Sequence, residues 1–252
     1  MKASVRIFNS RFELAESMAL DIVSLARNRE AEGRPFAMAI PGGSTPRILF
    51  TVLGEHFGGS VNWNNVHIFW VDERCVPPSD AASNYGMAKE SFLDRIEIPG
   101  QNVHRIKGEA DPEKEAIRYS AALRENTEIR NGIPGLDFML LGMGEDGHVA
   151  SIFPGNEAFF HSDKPCHVAR HPQTGQKRIT LSGKIINNSG KIYFMVTGKD
   201  KAEIVRRVLC TDSKQQPVPA SFVCPAGGAA VWYLDREAAS LIPSGTADGL
   251  IL

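Results

Sequence analysis

The stretch Pro35-Phe-Ala-Met-Ala-Ile-Pro-Gly-Gly-Ser-Thr-Pro46 decides the fold of this 252-residue chain. Its first half is an apolar run of strand length, and the Pro-Gly-Gly that follows requires a sharp turn. After the turn, Ile48, Leu49 and Val52 recur at helical spacing, and Pro46 falls in the first helical turn, where its missing N–H is tolerated. The stretch therefore predicts a buried strand, a glycine-rich turn and a helix.

The same alternation of apolar strands and amphipathic helices continues along the chain. Strands are predicted at residues 35–40, 66–71, 136–141, 191–196 and 229–234. Helices are predicted from a capping box at Ser10 and Glu13 as far as Gly33, and at residues 45–53, 85–96, 112–129 and 199–209. This order predicts an α/β fold, with a mostly parallel central sheet and helices on both faces in a Rossmann-like, three-layer αβα arrangement.

The chain shows no shift in composition that would mark a domain boundary. Residues 1–252 are therefore predicted to form one domain. Residues 155–176, rich in proline, histidine and charge, are predicted to be an excursion within that domain. Residues 245–252 are predicted to be a loosely held tail.

Composition and charge restrict the classes of partner. The chain has 28 Lys and Arg against 29 Asp and Glu, so there is no sequence-wide basic field to bind nucleic acid. Four cysteines without a Cys-x-x-Cys pair favour a reducing compartment. With neither a signal peptide nor an apolar run of membrane-spanning length, the chain is predicted to be cytoplasmic and to have no membrane partner. It is expected to be a monomer or small homo-oligomer.

In sheets of this kind, ligands bind beyond the carboxyl ends of the strands. The first predicted strand end carries Gly42, Gly43, Ser44 and Thr45. The glycines allow close approach of the backbone, the hydroxyls add donors, and the start of the following helix favours an anion such as phosphate. An ordinary strand-to-helix turn is the alternative interpretation.

Charged residues follow two other predicted strands. Asp72-Glu-Arg74 comes directly after residues 66–71, where three charges are costly unless they face a polar cleft. Arg74 could bind a phosphate or carboxylate in bidentate fashion. Lys201 lies just beyond residues 191–196 and could add a point charge. A charged surface loop and a solvated lysine are the corresponding alternatives.

The predicted strand 136–141 is followed by Gly142-Met-Gly-Glu-Asp-Gly-His148. The glycines match the dinucleotide pattern G-x-G-x-x-G, but Asp146 and His148 crowd the turn and Pro154 soon interrupts the chain, so a dinucleotide site is not predicted. A carboxylate and an imidazole two residues apart could instead move a proton. The alternative is a surface or capping histidine. Because these strand ends fall on one edge of a sheet, we expect a single site.

These segments resemble the 6-phosphogluconolactonases, within the superfamily that includes the glucosamine-6-phosphate isomerases. The matching stretches span almost the whole chain: Pro41-Gly-Gly-Ser-Thr-Pro46, Phe69-Trp-Val-Asp-Glu-Arg-Cys-Val-Pro77, Ser83-Asn-Tyr85, Leu140-Leu-Gly-Met-Gly-Glu-Asp-Gly-His-Val-Ala-Ser-Ile-Phe-Pro-Gly155, Arg178-Ile-Thr180, Thr197-Gly-Lys-Asp-Lys-Ala202, Pro219-Ala-Ser221 and Val231-Trp-Tyr-Leu-Asp235. The resemblance implies hydrolysis of 6-phospho-D-glucono-1,5-lactone to 6-phosphogluconate, in the oxidative pentose phosphate pathway, without a cofactor or a metal.

The resemblance also implies roles for the site residues. His148 would be the general base that activates water, with Asp146 orienting it. The 6-phosphate would be bound by Gly42, Gly43, Ser44, Thr45, Arg74 and Lys201. Asp72 and Arg178 would lie in the cleft without an assigned role. Backbone N–H groups of residues 142–147 are candidate donors to the oxyanion.

Two other functions remain as alternatives. In amino-sugar-6-phosphate isomerase/deaminases, the corresponding histidine is typically followed by Ile-Ala-Phe-Asn-Glu-Pro, whose Glu assists ring opening. Here the run is Val149-Ala-Ser-Ile-Phe-Pro154, without a carboxylate, which favours hydrolysis. A non-catalytic sugar-phosphate sensor would need a DNA-binding helix-turn-helix, and the residues before Pro35 supply only one amphipathic helix.

A metal site is the remaining possibility that the sequence raises. Cys166, His167 and His171 have a spacing that resembles a ligand set. Pro165 and Pro172 would break any helix that aligned them, and no second cysteine lies nearby. The spacing is therefore attributed to chance, and no metal is expected.

Overall fold

The computed structural model describes residues 4–210, 216–225, 228, 230–243 and 250–251. Its helices are α1 (Arg11–Ala31), α2 (Ser44–His56), α3 (Asn84–Ser91), α4 (Pro112–Asn126), α5 (Gly183–Asn187) and α6 (Ala202–Leu209). Its strands are β1 (Ser4–Phe8), β2 (Phe36–Ile40), β3 (Val66–Trp70), β4 (Asp72–Arg74), β5 (Val103–His104), β6 (Glu128–Arg130), β7 (Ile133–Gly135), β8 (Phe138–Leu141), β9 (Cys166–Arg170), β10 (Lys177–Leu181), β11 (Lys191–Val196), β12 (Val231–Asp235) and β13 (Leu250–Ile251).

The central sheet contains eight of the described strands, in the order β13-β1-β12-β11-β8-β2-β3-β5. Each pairing between these strands is parallel. β2 and β8 are buried along their whole length, which is typical of strands covered on both faces. Helices flank the sheet, and the predicted α/β fold with three layers is confirmed.

Helix α1 begins at the predicted capping position. Ser10 Oγ accepts the Glu13 N–H at 3.1 Å, and the Glu13 carboxylate accepts the N–H of Asn9, one residue before the cap, at 3.1 Å. The helix ends at Ala31, and Gly33 follows with φ of 68°, in the left-handed region that favours glycine. Both ends of this helix are therefore encoded locally.

The helix predicted at residues 112–129 is shorter in the structure. Helix α4 ends at Asn126, because Thr127 is extended, with φ of −130° and ψ of 160°. The residues that follow form β6, which pairs with β7 in a two-stranded antiparallel sheet. Exposed Ile129, which continued the apolar pattern of the helix, lies in this hairpin.

Two further helices begin or end differently from the prediction. The helix predicted at residues 85–96 stops at Ser91, because fully buried Phe92 leaves the helical conformation, with φ of −141°. A 3₁₀ turn at Leu93–Arg95 follows. The helix predicted from residue 199 opens with a 3₁₀ turn at Lys199–Lys201 before α6.

A small antiparallel sheet, in the order β4-β10-β9, was not predicted. Strand β9 lies within residues 155–176, so this predicted excursion contributes an ordered strand to the fold. The register places Arg178 opposite Arg74 and Thr180 opposite Asp72. These strands are short and charged, so they show neither the long apolar run nor the alternation by which strands are recognised in a sequence.

The carboxyl-terminal part of the chain is described only in pieces. The last predicted strand, at residues 229–234, corresponds to β12, and Ala229 lies outside the described residues. Of the predicted tail, residues 245–249 and 252 also lie outside them, whereas Leu250–Ile251 pairs with β1. The single domain predicted for residues 1–252 remains a prediction. None of the described helices is long and apolar enough to cross a lipid bilayer.

A pair of histidines lies on the edge strands β3 and β5. His67 Nδ1 is 2.9 Å from His104 Nε2, and the His104 ring stacks on Phe69 with 4.5 Å between centroids. Burial, together with the charges of His67 and Arg118, lowers the pKa of His104 to about 4. Burial also lowers the pKa of His67. Neutral imidazoles are therefore favoured in the folded protein.

We predict that this pair makes the fold sensitive to acid. In the unfolded chain both histidines bind protons from about pH 6.5 downward. In the folded protein His104 stays neutral until about pH 4. The free energy of unfolding therefore decreases as the pH falls from about 6.5 to about 4. His104→Gln retains a hydrogen-bonding group without titrating. Its unfolding free energy, from urea melts at about pH 7.5 and about pH 5, should fall less than that of the wild type. Equal losses would contradict the prediction, and His56→Gln on α2 serves as the control.

Candidate active site

Segments that follow β2, β3, β8 and β11 surround one cavity of about 270 Å³ at the carboxyl edge of the central sheet. The predicted site residues that line it are Gly42, Gly43, Ser44, Thr45, Asp72, Arg74, His148, Arg178 and Lys201. The remaining predicted residue, Asp146, is hydrogen-bonded to His148. Residues that were not assigned to the site also line the cavity, among them Asn84, Met143, Ala150 and Thr197.

The turn after β2 is shaped by two glycines. A Cβ on Gly42 would come within 1.7 Å of Asn84 Oδ1, so glycine is required there. Gly43 has φ of 109° and precedes α2, which no side chain of the described residues caps. Free N–H groups and the positive end of the helix dipole favour an anion at this position. Thr45 Oγ1 lies 3.1 Å from Thr197 Oγ1, which joins this turn to the loop after β11.

The turn after β8 presents His148 to the cavity. His148 Nδ1 lies 2.6 Å from Asp146 Oδ1, which also accepts the His148 backbone N–H at 3.1 Å. Burial has the largest effect on the pKa of Asp146 and raises it, but the hydrogen bonds and charge of His148 outweigh burial and the pKa is lowered overall. An ionised Asp146 therefore accepts a hydrogen bond from Nδ1–H of His148, which leaves Nε2 without a proton and able to act as a base.

Gly144 makes room for this pair. A Cβ at Gly144 would lie 2.1 Å from His148 Nδ1 and 2.5 Å from Asp146 Oδ1. The Gly144 N–H donates to the His148 carbonyl, and the Gly147 N–H donates to the Gly144 carbonyl, each at 3.0 Å. Both N–H groups were among the expected oxyanion donors of residues 142–147. They are used within the turn, so for these two the expectation is wrong.

Asp72 is buried and connects three segments of the site. Ser151 Oγ donates to Asp72 Oδ2 at 2.6 Å, and Asn84 Nδ2 donates to Oδ1 at 3.2 Å and to the Asp72 carbonyl at 2.9 Å. The Ser151 N–H donates to Thr180 Oγ1 on β10 at 3.1 Å. Ala150 has φ of 50°, a left-handed conformation that costs a residue with a side chain about 1–2 kcal/mol. These hydrogen bonds help to maintain the strained turn.

Glu73 joins β4 to the start of α3. Its Oε1 accepts the N–H groups of Arg74 at 2.8 Å and Asn84 at 2.7 Å. Its Oε2 accepts the Tyr85 N–H at 2.8 Å and the hydroxyl of Ser83, the N-cap of α3, at 3.2 Å. Burial raises the pKa of Glu73 and outweighs the three backbone hydrogen bonds, which lower it. This carboxylate fixes the position from which Asn84 reaches Asp72.

Three cationic side chains line the cavity. Arg74 is anchored by a backbone carbonyl in the following loop at 2.6 Å. Arg178 Nη1 lies 3.9 Å from Asp72 Oδ2, and burial lowers the pKa of Arg178 although the charge of Asp72 raises it. Lys201 Nζ lies 4.0 Å from the carboxylate of exposed Glu145. This concentration of positive charge in a cleft favours an anionic ligand.

The ring of buried Phe153 packs against His148. The centroids of the Phe153 and His148 rings are 4.7 Å apart, and the Arg178 guanidinium lies over the Phe153 ring at 5.6 Å. The His171 ring also packs against Phe153, with centroids 5.2 Å apart. An apolar side chain therefore contacts His148 at the position in the motif where the alternative isomerase function would need a carboxylate.

The residues considered for a metal site do not converge. Cys166 and His167 are successive in β9 and so lie on opposite faces of the strand. The His167 ring stacks on Phe159, with 4.2 Å between centroids, whereas His171 contacts Phe153. Within the described part of the chain, no group of three or more His, Cys, Asp or Glu residues is placed to hold a metal ion.

Asn84, Ser151 and Thr197 are polar site residues that sequence reasoning did not assign. Asn84 is the first residue of α3, directly after the N-cap Ser83. Ser151 lies three residues beyond His148, but its partner, Asp72, is 79 positions away in the sequence. Only their membership of the motif stretches pointed to them, because short side-chain hydrogen bonds between distant segments leave no local pattern.

The comparisons with known proteins agree with this architecture. The family model for glucosamine-6-phosphate isomerases/6-phosphogluconolactonase matches residues 9–232. The 6-phosphogluconolactonase of Aggregatibacter actinomycetemcomitans is 39% identical over 209 residues, which cover 82% of this chain and 88% of that protein. The Treponema pallidum 6-phosphogluconolactonase is 37% identical over 232 residues, with 92% of each chain covered. A 6-phosphogluconolactonase structure from Trypanosoma brucei matches with a TM-score of 0.87 at 27% identity, covering 96% of this chain and 99% of that one.

The chain therefore belongs to the glucosamine-6-phosphate isomerase/6-phosphogluconolactonase family. Its parallel sheet and the loops at its carboxyl edge are the parts of the fold on which the site is built. The family description itself covers two activities, so the choice between them depends on the residues of the site.

We predict that Glu73→Gln destabilises the fold. An amide keeps one acceptor oxygen but turns an NH₂ group toward N–H and O–H donors, so a buried donor loses its partner at a cost of about 1–3 kcal/mol. Glu90→Gln is the control, because Glu90 is an exposed glutamate near the end of α3, the helix whose start Glu73 binds. Urea unfolding should show a lower midpoint for Glu73→Gln alone, and equal midpoints for the two variants would contradict the prediction.

Proposed function

We propose that the chain hydrolyses 6-phospho-D-glucono-1,5-lactone to 6-phosphogluconate, a step of the oxidative pentose phosphate pathway. The observation that carries the proposal is the position of His148, which is hydrogen-bonded to Asp146, in one cavity with Arg74, Arg178 and Lys201. A base and a group of cations are what the hydrolysis of an anionic lactone requires. The names of the two bacterial relatives and of the Trypanosoma brucei structure support the same activity.

In the proposed reaction, His148 is the general base. Asp146 holds the proton on Nδ1, so Nε2 takes a proton from a water molecule as its oxygen attacks the lactone carbonyl. The tetrahedral intermediate then collapses, the ring C–O bond breaks, and the ring oxygen leaves with a proton from the imidazolium. Hydrolysis consumes one water and yields a carboxylic acid, which ionises at neutral pH. These steps use no cofactor and no metal.

The phosphate is proposed to bind at the start of α2. The Gly42, Gly43, Ser44 and Thr45 turn offers hydroxyls and helix N–H groups, and Arg74 and Lys201 add positive charge. Binding energy from this remote group fixes the lactone carbonyl beside His148 and so contributes to the rate. Asp72 and Arg178 contribute to the same cavity, without a separate chemical step.

Hydrolysis is favoured over amino-sugar isomerisation by the environment of the base. Isomerisation moves a proton between carbons and needs an acid that opens the sugar ring. In this chain the motif position of that acid is occupied by Phe153, whose ring packs on His148. A non-catalytic sensor is less well supported, because binding alone does not require a carboxylate-supported imidazole in the cavity. The protein is further proposed to act in the cytoplasm, as a monomer or small homo-oligomer.

The decisive experiment adds the protein to freshly generated lactone and follows acid release against the spontaneous rate. Acceleration supports the proposal. Ammonia released from glucosamine 6-phosphate, with lactone hydrolysis at its spontaneous rate, would establish the isomerase/deaminase alternative. Binding of 6-phosphogluconate without turnover of either substrate would establish the sensor.

We predict that His148→Ala lowers kcat by about 10²–10⁴-fold, because general base catalysis is lost. KM should change little, since His148 is not among the residues proposed to bind phosphate. Initial rates of acid release measure both constants. His161→Ala provides the control, because His161 is exposed and does not line the cavity. A wild-type rate in His148→Ala would remove the proposed base.

Lys201→Ala is expected to raise KM by about 10–100-fold, which corresponds to a charge-assisted hydrogen bond of about 1.5–3 kcal/mol. Its kcat should stay closer to that of the wild type. Lys199→Ala is a matched control from the same 3₁₀ turn, because Lys199 is exposed and does not line the cavity. Steady-state kinetics that show equal KM values for the two variants would contradict a phosphate-binding role.

A further inference from the structure

Asp235 is a buried carboxylate that the proposed reaction does not use. It ends β12 at the carboxyl edge of the sheet, and 5% of its surface is exposed. It does not line the cavity. A buried anion is costly unless hydrogen bonds and positive charge compensate it. The groups that bind the Asp235 carboxylate therefore indicate which part of the structure it stabilises.

The partners of Asp235 converge on the loop that follows β11. Both carboxylate oxygens accept the Gly198 N–H at 3.0 Å, and Oδ1 also accepts the Ala238 N–H at 2.8 Å. Arg11 Nε lies 3.7 Å from Oδ2 and supplies a positive charge. The carboxylate thus joins the starts of α1 and of the segment after β12 to Gly198.

Gly198 connects Asp235 to Lys201, a residue that lines the cavity. Its N–H is held by Asp235, and its carbonyl accepts the Lys201 N–H at 3.1 Å, so both polar groups of this residue are fixed. Gly198 has φ of 97°, and a Cβ there would lie 2.6 Å from Asp200 Oδ1, so glycine is needed in this turn. The residue before it, Thr197, bonds across the cavity wall to Thr45.

We infer that Asp235 is a positioning residue for phosphate binding, acting through Gly198 on Lys201 and Thr197. The inference rests on the proposed function, because it takes the Lys201 side of the cavity to be the phosphate side. Without the carboxylate, the Gly198 N–H loses its acceptor and the 3₁₀ turn that carries Lys201 loses its anchor. The catalytic turn of His148 and Asp146 has separate hydrogen bonds and is not held by Asp235.

The test compares Asp235→Ala and Asp235→Asn with the wild type. Asp137→Ala is the matched control, because Asp137 is also a shielded carboxylate that accepts a strand N–H and pairs with arginines, but it precedes β8 at the opposite edge of the sheet. The readouts are kcat and KM for the phosphorylated lactone and the inhibition constant of inorganic phosphate. All are measured below the unfolding temperature of each variant.

Asp235→Ala should raise both KM and the inhibition constant of phosphate by about tenfold or more, with kcat changed by less than about threefold. Asp235→Asn should lie between this variant and the wild type, since its amide oxygen still accepts one hydrogen bond. A merely structural role would not separate KM from kcat in this way. Asp137→Ala should leave KM and the inhibition constant near the wild-type values.

The inference is overturned if Asp235→Ala leaves both constants unchanged, lowers kcat alone, or is matched by Asp137→Ala. If Asp235→Ala does not fold, the same comparison is made with Asp235→Asn, whose unchanged constants would also overturn it. If the wild type does not accelerate lactone hydrolysis, the proposed function fails. Calorimetric titration with inorganic phosphate then still decides whether Asp235 supports anion binding by the Lys201 loop.

Discussion

The parallel pairing of β3, β2, β8 and β11 is the constraint on which the rest of this structure depends. Parallel strands end at one edge of a sheet, so the loops that follow them are brought together whatever their distance in the sequence. Because the strands are buried on both faces, a shift in register would expose apolar side chains or bury polar ones. The geometry of the site is thus fixed by the burial of residues that take no part in it.

Close approach at this edge is possible because side chains are absent at particular positions. Asn84 packs against Gly42, and the His148–Asp146 pair packs against Gly144, so closely that a Cβ on either glycine would overlap these side chains. Next to Gly42 the space is filled by buried polar groups that bind one another through hydrogen bonds, with Asp72 at the centre. The residues of such a network depend on one another, because a buried polar group that loses its partner is costly.

Most strands of the central sheet could be predicted from the sequence, whereas the small β4-β10-β9 sheet could not. The apolar runs of β2, β3, β8 and β11 predicted these strands. The residues that follow the four strands include Gly42, Arg74, His148 and Lys201, which line the cavity. Arg178 was expected in the cleft only through the family resemblance, since β10 has no clear strand pattern. Its actual position depends on pairing with β4, which places it opposite Arg74. Pairings between short polar strands are set by the surrounding tertiary structure.

The sequence by itself determined the α/β class, the order of most elements and the residue types at each strand end, because burial, helical period and glycine turns act locally. The tertiary structure decided which groups meet. It placed Ser151 and Asn84 on Asp72, occupied two N–H groups that had been expected to bind an oxyanion, and packed Phe153 on His148. The hydrogen bond between Ser151 and Asp72 joins residues that are 79 positions apart in the chain. The contacts within the turn after β8 join near neighbours, but hydrogen bonds and ring packing there too depend on distances that only the folded structure can set.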